Sequence, residues 1–340
     1  MRKRVVSLAA LLAATALLVA ALWVRRPNDT QKNYRTTSFF DVFETVCIVT
    51  GYTDTQEEWD AQMQALHADL QHYHRLFDIY HAYDGVTNLY QINAQAGQGP
   101  VAVDADLFGL LQLGQQVSAL TGGACNLAGG ALYALWHDAR ETATLPDPAA
   151  LTDAMRHIDP AALVLDETAQ TVALTDPAAR LDVGSLGKGY ATELAAQRAE
   201  ARGLTSALLN IGGDLRAIGT KPDGSGWTVG IEDPRDPGKT KLTRTLGAGD
   251  SLVVSGDYQR YIEIDGVRYH HLIDPTTGQP ARYHASVAVY CHGQNGLADG
   301  LSTGLFCLDE DAGREVLTQL DGVGVVWIDN DGRVVSSAGW

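Results

Sequence analysis

The run Leu181-Asp182-Val183-Gly184-Ser185-Leu186-Gly187-Lys188-Gly189-Tyr190 puts an acid, a hydroxyl, a lysine and three glycines into one short segment. Thr171–Leu174 before it alternates like a strand. Ala191 to Arg202 after it is rich in Ala, Glu and Arg and ends at Gly203, which suits a helix with a C′ glycine. A glycine-rich turn from strand to helix exposes backbone N–H groups at a helix N-terminus, where a phosphate is favoured. Asp182 and Ser185 add oxygens suited to a hard cation. The alternative is a tight turn with a solvated lysine. Two familiar phosphate motifs do not fit. A P-loop needs glycine where Asp182 stands, with Ser or Thr after the lysine, and Gly189 stands there instead. The glycines at 184, 187 and 189 do not make the Gly-x-Gly-x-x-Gly of a dinucleotide-binding turn.

Three further segments set polar groups among apolar ones. Asn210-Ile211-Gly212-Gly213-Asp214 is either a plain Gly-Gly turn at a strand end or backbone opened for a ligand. Val254 to Tyr261 leads into Tyr269-His270-His271-Leu272-Ile273-Asp274-Pro275-Thr276-Thr277-Gly278. His271 can accept a hydroxyl proton near neutral pH, and Asp274 three residues on is its candidate orienting partner. Adjacent side chains of an extended segment point to opposite faces, which argues against His270 and His271 sharing a zinc. In Leu297–Phe306, Asp299 and Thr303 stand at i and i+4 and so share a face, with Ser302 beside them. Such oxygen ligands suit magnesium better than zinc or copper.

The elements that must position these groups are legible in outline. Thr55 and Glu58 form a capping box. Trp59, Met63, Leu66, Leu70, Tyr73 and Phe77 then fall at helical spacing, with the histidines at 67, 72 and 74 off that seam. A second helix is predicted over Leu107–Leu120, stopped by Gly122-Gly123. Phe39–Tyr52 reads as one strand. From Leu163 onward short strands dominate, including 207–209, 227–231, 251–254 and 286–291, with Asp265-Gly266 as a hairpin turn. Helices fit Leu297–Leu308 and Asp311–Leu320, and a last hairpin joins 324–328 to 333–336. Early helices followed by hairpin-linked strands predict an α+β fold, a largely antiparallel sheet core with packed helices.

Net charge is −16 over 340 residues. The first 26 residues hold five cations and no acid, which leaves −21 on the remainder. Such a body does not bind nucleic acid by bulk electrostatics, and a phosphorylated ligand would need a local cation. After Met1-Arg2-Lys3-Arg4 an apolar run extends from Val5 to Val24, then Arg25-Arg26-Pro27. That length spans a bilayer, and Trp23 with the arginines favours a retained anchor over a cleaved signal. The basic start predicts a body outside the cytoplasm. The expected organisation is an anchor over 1–26, a polar linker over 27–37 and one domain over 38–340. Cys47, Cys125, Cys291 and Cys307 form no Cys-x-x-Cys pair and read as buried free thiols.

Taken together, Asp182–Tyr190, Asn210–Asp214, Ser255-Gly256-Asp257-Tyr258, His271–Gly278 and Ala298–Thr303 resemble, in order, the motifs of the FAD:protein FMN transferase family, the ApbE family of flavin transferases. Gly122-Gly123-Ala124-Cys125-Asn126, with Leu132 and Trp136, is similar to the family's earlier flavin-contacting stretch. The likeness covers about residues 38–340. It implies that FAD is bound with Mg²⁺ and that FMN passes to a Thr or Ser hydroxyl of a partner protein, releasing AMP. It implies a metal held by Ser185, Asp299, Ser302 and Thr303, partly through backbone oxygens. It also implies flavin nucleotide contacts at Phe43, Ala124, Cys125, Asn126, Asp182, Lys188 and Ile273, with His271 as general base. With an exported body, the expected acceptor is a membrane-associated redox protein. Glu44 stands where the family has glycine, Asp78-Ile79-Tyr80 replaces Ser-x-Tyr, and Asn126 replaces a common Asp. The same site could instead hydrolyse FAD to FMN and AMP, or carry a flavin without turnover.

Overall fold

The computed structural model describes residues 34–340, so the expected anchor and residues 27–33 of the expected linker lie outside the described residues, while residues 34–37, expected as linker, are instead the start of a strand paired with Val49–Tyr52. Strands β1 (Tyr34–Phe39), β2 (Cys47–Tyr52), β3 (Val101–Ala102), β4 (Leu163–Asp166), β5 (Thr171–Leu174), β6 (Ala207–Ile211), β7 (Asp214–Ile218), β8 (Trp227–Glu232) and β9 (Thr240–Leu246) come first. β10 (Asp250–Gly256), β11 (Tyr261–Ile264), β12 (Val267–His270), β13 (Ile273–Asp274), β14 (Gln279–Pro280), β15 (Ser286–His292), β16 (Gly324–Ile328) and β17 (Val334–Ser336) follow. The helices are α1 (Gln56–Phe77), α2 (Leu89–Ala94), α3 (Ala105–Leu120), α4 (Gly130–Thr142), α5 (Pro148–Ala154), α6 (Gly187–Ala201), α7 (Asn295–Phe306) and α8 (Glu310–Leu317).

Eight strands form one sheet in the order β1-β2-β6-β7-β10-β15-β16-β17, and every pairing in it is antiparallel. This is the expected α+β architecture. The period-two alternation of strand side chains divides the sheet into two buried faces. Val253, Val287, Val289, Val325 and Trp327 face α7 and α8. Val49, Leu209 and Ile211 face α1, α3 and α6. The residues between them, such as Leu208, Leu252, Ala288 and Val326, lie against the β8–β9 hairpin on the other side. Trp59, Leu66 and Leu70 of α1 are fully buried, at about 1.5–3 kcal/mol each. Thr55 caps α1 by accepting from the Glu58 N–H, while Glu58 reaches back to the Asp54 N–H.

The stretch predicted as one strand over Phe39–Tyr52 is instead two paired strands joined by a loop over 40–46. Phe43 and Glu44 both adopt the left-handed region there, with φ of 54° and 49°. That conformation favours glycine over residues with a Cβ, yet Phe43 and Glu44 hold it here. The helix expected from Ala191 begins four residues earlier, at Gly187, so Lys188 and Gly189 belong to its first turn.

Candidate active site

The turn before α6 is held by its own backbone. Asp182 N–H donates to the Leu127 carbonyl at 2.9 Å, and Asp182 Oδ1 accepts from the Gly184 N–H at 2.8 Å. α6 has no side-chain cap of its own. Asp299 of α7 takes that role across the interface, since its Oδ2 accepts from the Gly189 N–H at 2.9 Å. An acid at a helix N-terminus satisfies an orphan donor and the helix dipole together. Gly189 permits the approach, because a Cβ there would stand 2.5 Å from the Asp299 Cβ and 2.6 Å from the Asn295 carbonyl oxygen. The Gly296, Gly300 and Gly304 stripe of α7 does the same against Tyr190, Val117 and Thr121.

Lys188 extends between two buried acids. Its Nζ lies 3.5 Å from Asp299 Oδ2 and 3.5 Å from Asp214 Oδ2. Asp214 opens β7 directly after Gly212 and Gly213, whose φ values of 62° and 102° make the tight turn from β6. The segment is therefore the Gly-Gly hairpin of the plainer reading, and it delivers an acid to the site as well. Asp214 Oδ2 is buried and accepts no hydrogen bond. Burial and the neighbouring Asp299 carboxylate push the Asp214 pKa well above the usual carboxylate range. Burial works against the Lys188 charge, yet Asp214 and Asp299 overcome it and hold the ammonium pKa above its ordinary value.

The oxygens beside Asp299 are of two kinds. The Thr303 hydroxyl reaches the Ser185 carbonyl oxygen at 3.4 Å, which brings Thr303, Asp299 and Ser185 into one neighbourhood. Ser302 turns elsewhere: its hydroxyl donates to the Asp299 carbonyl at 2.8 Å and meets Ser255 Oγ on β10 at 2.8 Å. It ties the helix to the sheet. Two carboxyl groups, one ammonium, a carbonyl and a hydroxyl form an oxygen-rich set in which one lysine balances only one acid, and the raised Asp214 pKa marks the want of a second positive charge. That set fits a hard divalent cation. Among the described residues, three His, Cys, Asp or Glu donors converge not here, where there are two, but at His72, Asp104 and Asp106. There Asp106 already pairs with Arg198 at 2.8 Å and Asp104 caps α3.

His271 and His270 part as expected. His270 is buried against Phe306, with Nε2 on the Ala281 carbonyl at 2.8 Å and Nδ1 accepting from the Leu272 N–H at 3.2 Å. His271 Nδ1 is buried with no partner. Burial first, then the Arg260 and Arg140 guanidiniums, hold the His271 pKa well below its ordinary 6.5. Asp274 is not its orienting partner. Asp274 Oδ1 accepts from the Thr276 N–H at 2.8 Å and Oδ2 from the Thr277 hydroxyl at 3.1 Å. Both oxygens build the turn that Pro275 and Gly278 complete. Arg140 and Arg260 make no ion pair among the described residues; Arg140 stands in no motif of the sequence, and Arg260 lies in the Val254–Tyr261 segment without a role assigned to it. Asp214 closes the Asn210–Asp214 segment singled out in the sequence, but that pattern assigns no role to its carboxylate; the further signal is an acid beginning a wholly buried strand.

The residues expected to contact the flavin are engaged inside the protein. Asn126 Nδ2 donates to the Ile158 carbonyl at 2.7 Å, and its Oδ1 accepts from the Ala128 N–H at 2.9 Å. Its side-chain amide is thereby a brace of the loop. Cys125 Sγ lies 3.5 Å from Ser185 Oγ, and burial pushes its thiol up to about 12. It stays a neutral thiol, and all four cysteines are free and buried. Ile273 packs with Leu132 and Trp136 of α4, and Ala124 is buried beside α7. Trp136 Nε1 donates to the Gly278 carbonyl at 2.9 Å, which docks α4 on the His271–Gly278 segment. Phe43 is half-buried, and its N–H donates to His74 Nδ1 at 3.2 Å. Asp182 is half-buried between these residues and α6, and burial raises its pKa.

Comparison with known proteins agrees with this arrangement. A sequence model of the ApbE family matches residues 43–327. The chain is 37% identical over 262 residues to an FAD:protein FMN transferase of Treponema pallidum, spanning 73% of this chain and 72% of that protein. It is 30% identical over 247 residues to one of Klebsiella pneumoniae, spanning 73% and 76%. The crystal structure of an ApbE protein from Thermotoga maritima superposes with a TM-score of 0.79 at 27% identity, covering 90% of this chain and 97% of that one. The Pseudomonas stutzeri flavinyl transferase ApbE gives 0.76 at 27%, covering 91% and 96%. The fold, the ordered motifs and this breadth of match together mean that the chain belongs to the ApbE family.

Proposed function

We propose that this chain is an FAD:protein FMN transferase that works with Mg²⁺ and uses a Thr or Ser hydroxyl of a membrane-associated redox protein as acceptor. The observation that carries the reading is Lys188 set between buried Asp214 and Asp299, with the Ser185 and Thr303 oxygens beside Asp299. The activity named for the Treponema and Klebsiella relatives supports it. Mg²⁺ held by Asp299, Thr303 and the Ser185 carbonyl would supply Lewis-acid chemistry at a pyrophosphate oxygen.

The chain's own residues do the rest. Lys188 offsets charge on the phosphoryl oxygens, and Asp214 keeps its ammonium in place. His271, neutral at physiological pH, takes the proton of the incoming hydroxyl. That oxygen bonds to the phosphorus on the FMN side. The bond from this phosphorus to the bridging oxygen breaks, and AMP leaves with the electron pair. General-base help of this kind is worth about 10²–10⁴-fold. The apolar run from Val5 to Val24 supports an anchored protein facing away from the cytoplasm.

The test incubates the purified protein with FAD, Mg²⁺ and a candidate acceptor, then weighs the acceptor. A covalent FMN adduct together with AMP is expected. AMP with free FMN would make the protein an FAD hydrolase, and intact FAD in every arm would make it a flavin carrier.

A further inference from the structure

The two acids and the lysine of the site come from three separate elements. Their spacing therefore depends on how α6, β7 and α7 are fixed to one another. One carboxylate joins all three. Glu193 stands on α6, five positions after Lys188. Its Oε2 accepts from Arg216 Nε at 3.0 Å and from the Asn295 N–H at 3.1 Å. Its Oε1 accepts from Arg216 Nη2 at 3.1 Å. Arg216 lies two positions after Asp214, on the same face of β7. Asn295 opens α7 one helical turn before Asp299, and its Nδ2 closes the triangle on the Leu215 carbonyl at 2.9 Å.

The side chains of Arg216 and Glu193 are only 4% and 8% exposed. Such a buried pair offers little net stability over apolar residues of equal size, so stability alone is a weak reason for it. What it does supply is a fixed geometry. We infer that Glu193 is a positioning residue that sets the spacing of Asp214, Asp299 and Lys188, and through it the affinity of the site for a divalent cation. The inference rests on the reading of this site as a cation site.

The experiment uses the full chain in detergent without FAD. Mn²⁺ binding is followed by loss of the free-ion electron paramagnetic resonance signal, alongside thermal unfolding. Glu193→Gln keeps shape and removes charge. It is expected to raise the Mn²⁺ Kd about 10–100-fold, the usual cost of losing an outer-shell partner. Leu246→Ala, in the hairpin core on the far side of the sheet, is expected to lower Tm with Kd unchanged. If Glu193→Gln does not fold, Glu193→Asp keeps the charge, shortens its reach to Arg216 and to the Asn295 N–H, and is expected to raise Kd as well. A folded Glu193→Gln or Glu193→Asp protein with wild-type Kd overturns the inference. Asp299→Ala separates the two readings. If it also binds Mn²⁺ like the wild type, the cation site itself is misplaced, and both fail. If it alone loses binding, only the role of Glu193 fails.

Discussion

Gly189→Ala is the sharpest probe of the α6–α7 contact, because two physical effects predict opposite signs. By helix propensity alone, alanine in place of glycine in the first turn of α6 stabilises by about 0.4–1 kcal/mol. The structure predicts the reverse. The new Cβ would stand 2.5 Å from the Asp299 Cβ and 2.6 Å from the Asn295 carbonyl oxygen. Carbon atoms in contact prefer about 3.5–4.0 Å, so the helices must part by about 1 Å. Neither obstacle is the end of a flexible side chain. Overpacking of this kind costs about 1–3 kcal/mol, which lowers Tm by roughly 5 °C in a protein of this size. The same shift carries Asp299 away from the Gly189 N–H and Lys188. A displacement of about 1 Å in a reacting group costs on the order of 10²-fold in rate. Thermal unfolding and FMN transfer at saturating FAD and Mg²⁺ measure both. A raised Tm with wild-type turnover would refute the close helix crossing and its role in placing Asp299.

Asp299→Ala is expected to lower Mg²⁺-dependent transfer by at least about 10²-fold; unchanged turnover removes Asp299 from the metal site. The depressed His271 pKa means that the imidazole stays unprotonated, and competent as a base, to well below pH 6.5. An NMR titration of the His271 imidazole should therefore show no protonation from pH 8 to 6.5, and a midpoint at or above 6.5 contradicts this. His270 is pushed down to about 4 by burial, from 6.5 when unfolded. The unfolded chain thus binds the extra proton first, so stability present above pH 6.5 is lost as pH falls towards 4, by about 3 kcal/mol. Protonated Nδ1 can no longer accept from the Leu272 N–H. Urea unfolding at pH 7 and 4.5 should show the loss, and His270→Gln should reduce it.

The halves of the site that lie within single segments were readable in the sequence. Asp299 and Thr303 share a helix face by spacing alone, and the Asp182–Tyr190 glycines mark the start of α6. Asp214 was not readable in the same way. Its role comes from the sheet order, which sets β7 in the middle of the sheet beneath α6 and α7. No local pattern encodes that neighbourhood. Asp274 shows the opposite error. Closeness to His271 in sequence suggested a pair, yet Asp-Pro-Thr-Thr-Gly builds a turn that uses both carboxylate oxygens. Strand β9 escaped notice because it covers the sheet with one buried edge. Of its seven residues Leu246 alone is fully buried, so Thr240–Leu246 has no apolar alternation to detect. The 40–46 loop was hidden for a different reason. Its left-handed positions carry Phe43 and Glu44 rather than the glycine that would have announced a turn.

Charge explains why the site is built as it is. A body at −21 outside the first 26 residues repels a dinucleotide that is itself anionic. Scattered surface lysines would be screened by salt within about 10 Å and would give no fixed geometry. A buried ammonium alone would be costly without partners. Asp214 and Asp299 stabilise Lys188 as an ammonium, but one lysine balances only one acid, and burial beside Asp299 drives Asp214 towards its neutral form. On the proposed reading, a divalent cation beside Asp299, where Thr303 and the Ser185 carbonyl offer further oxygen, would supply the missing positive charge and let both acids ionise. The pocket would then present net positive charge to the phosphates. The two acids would thus be the means by which an acidic protein gathers positive charge in one place, and the Gly189–Asp299 contact fixes the spacing of the two helices there.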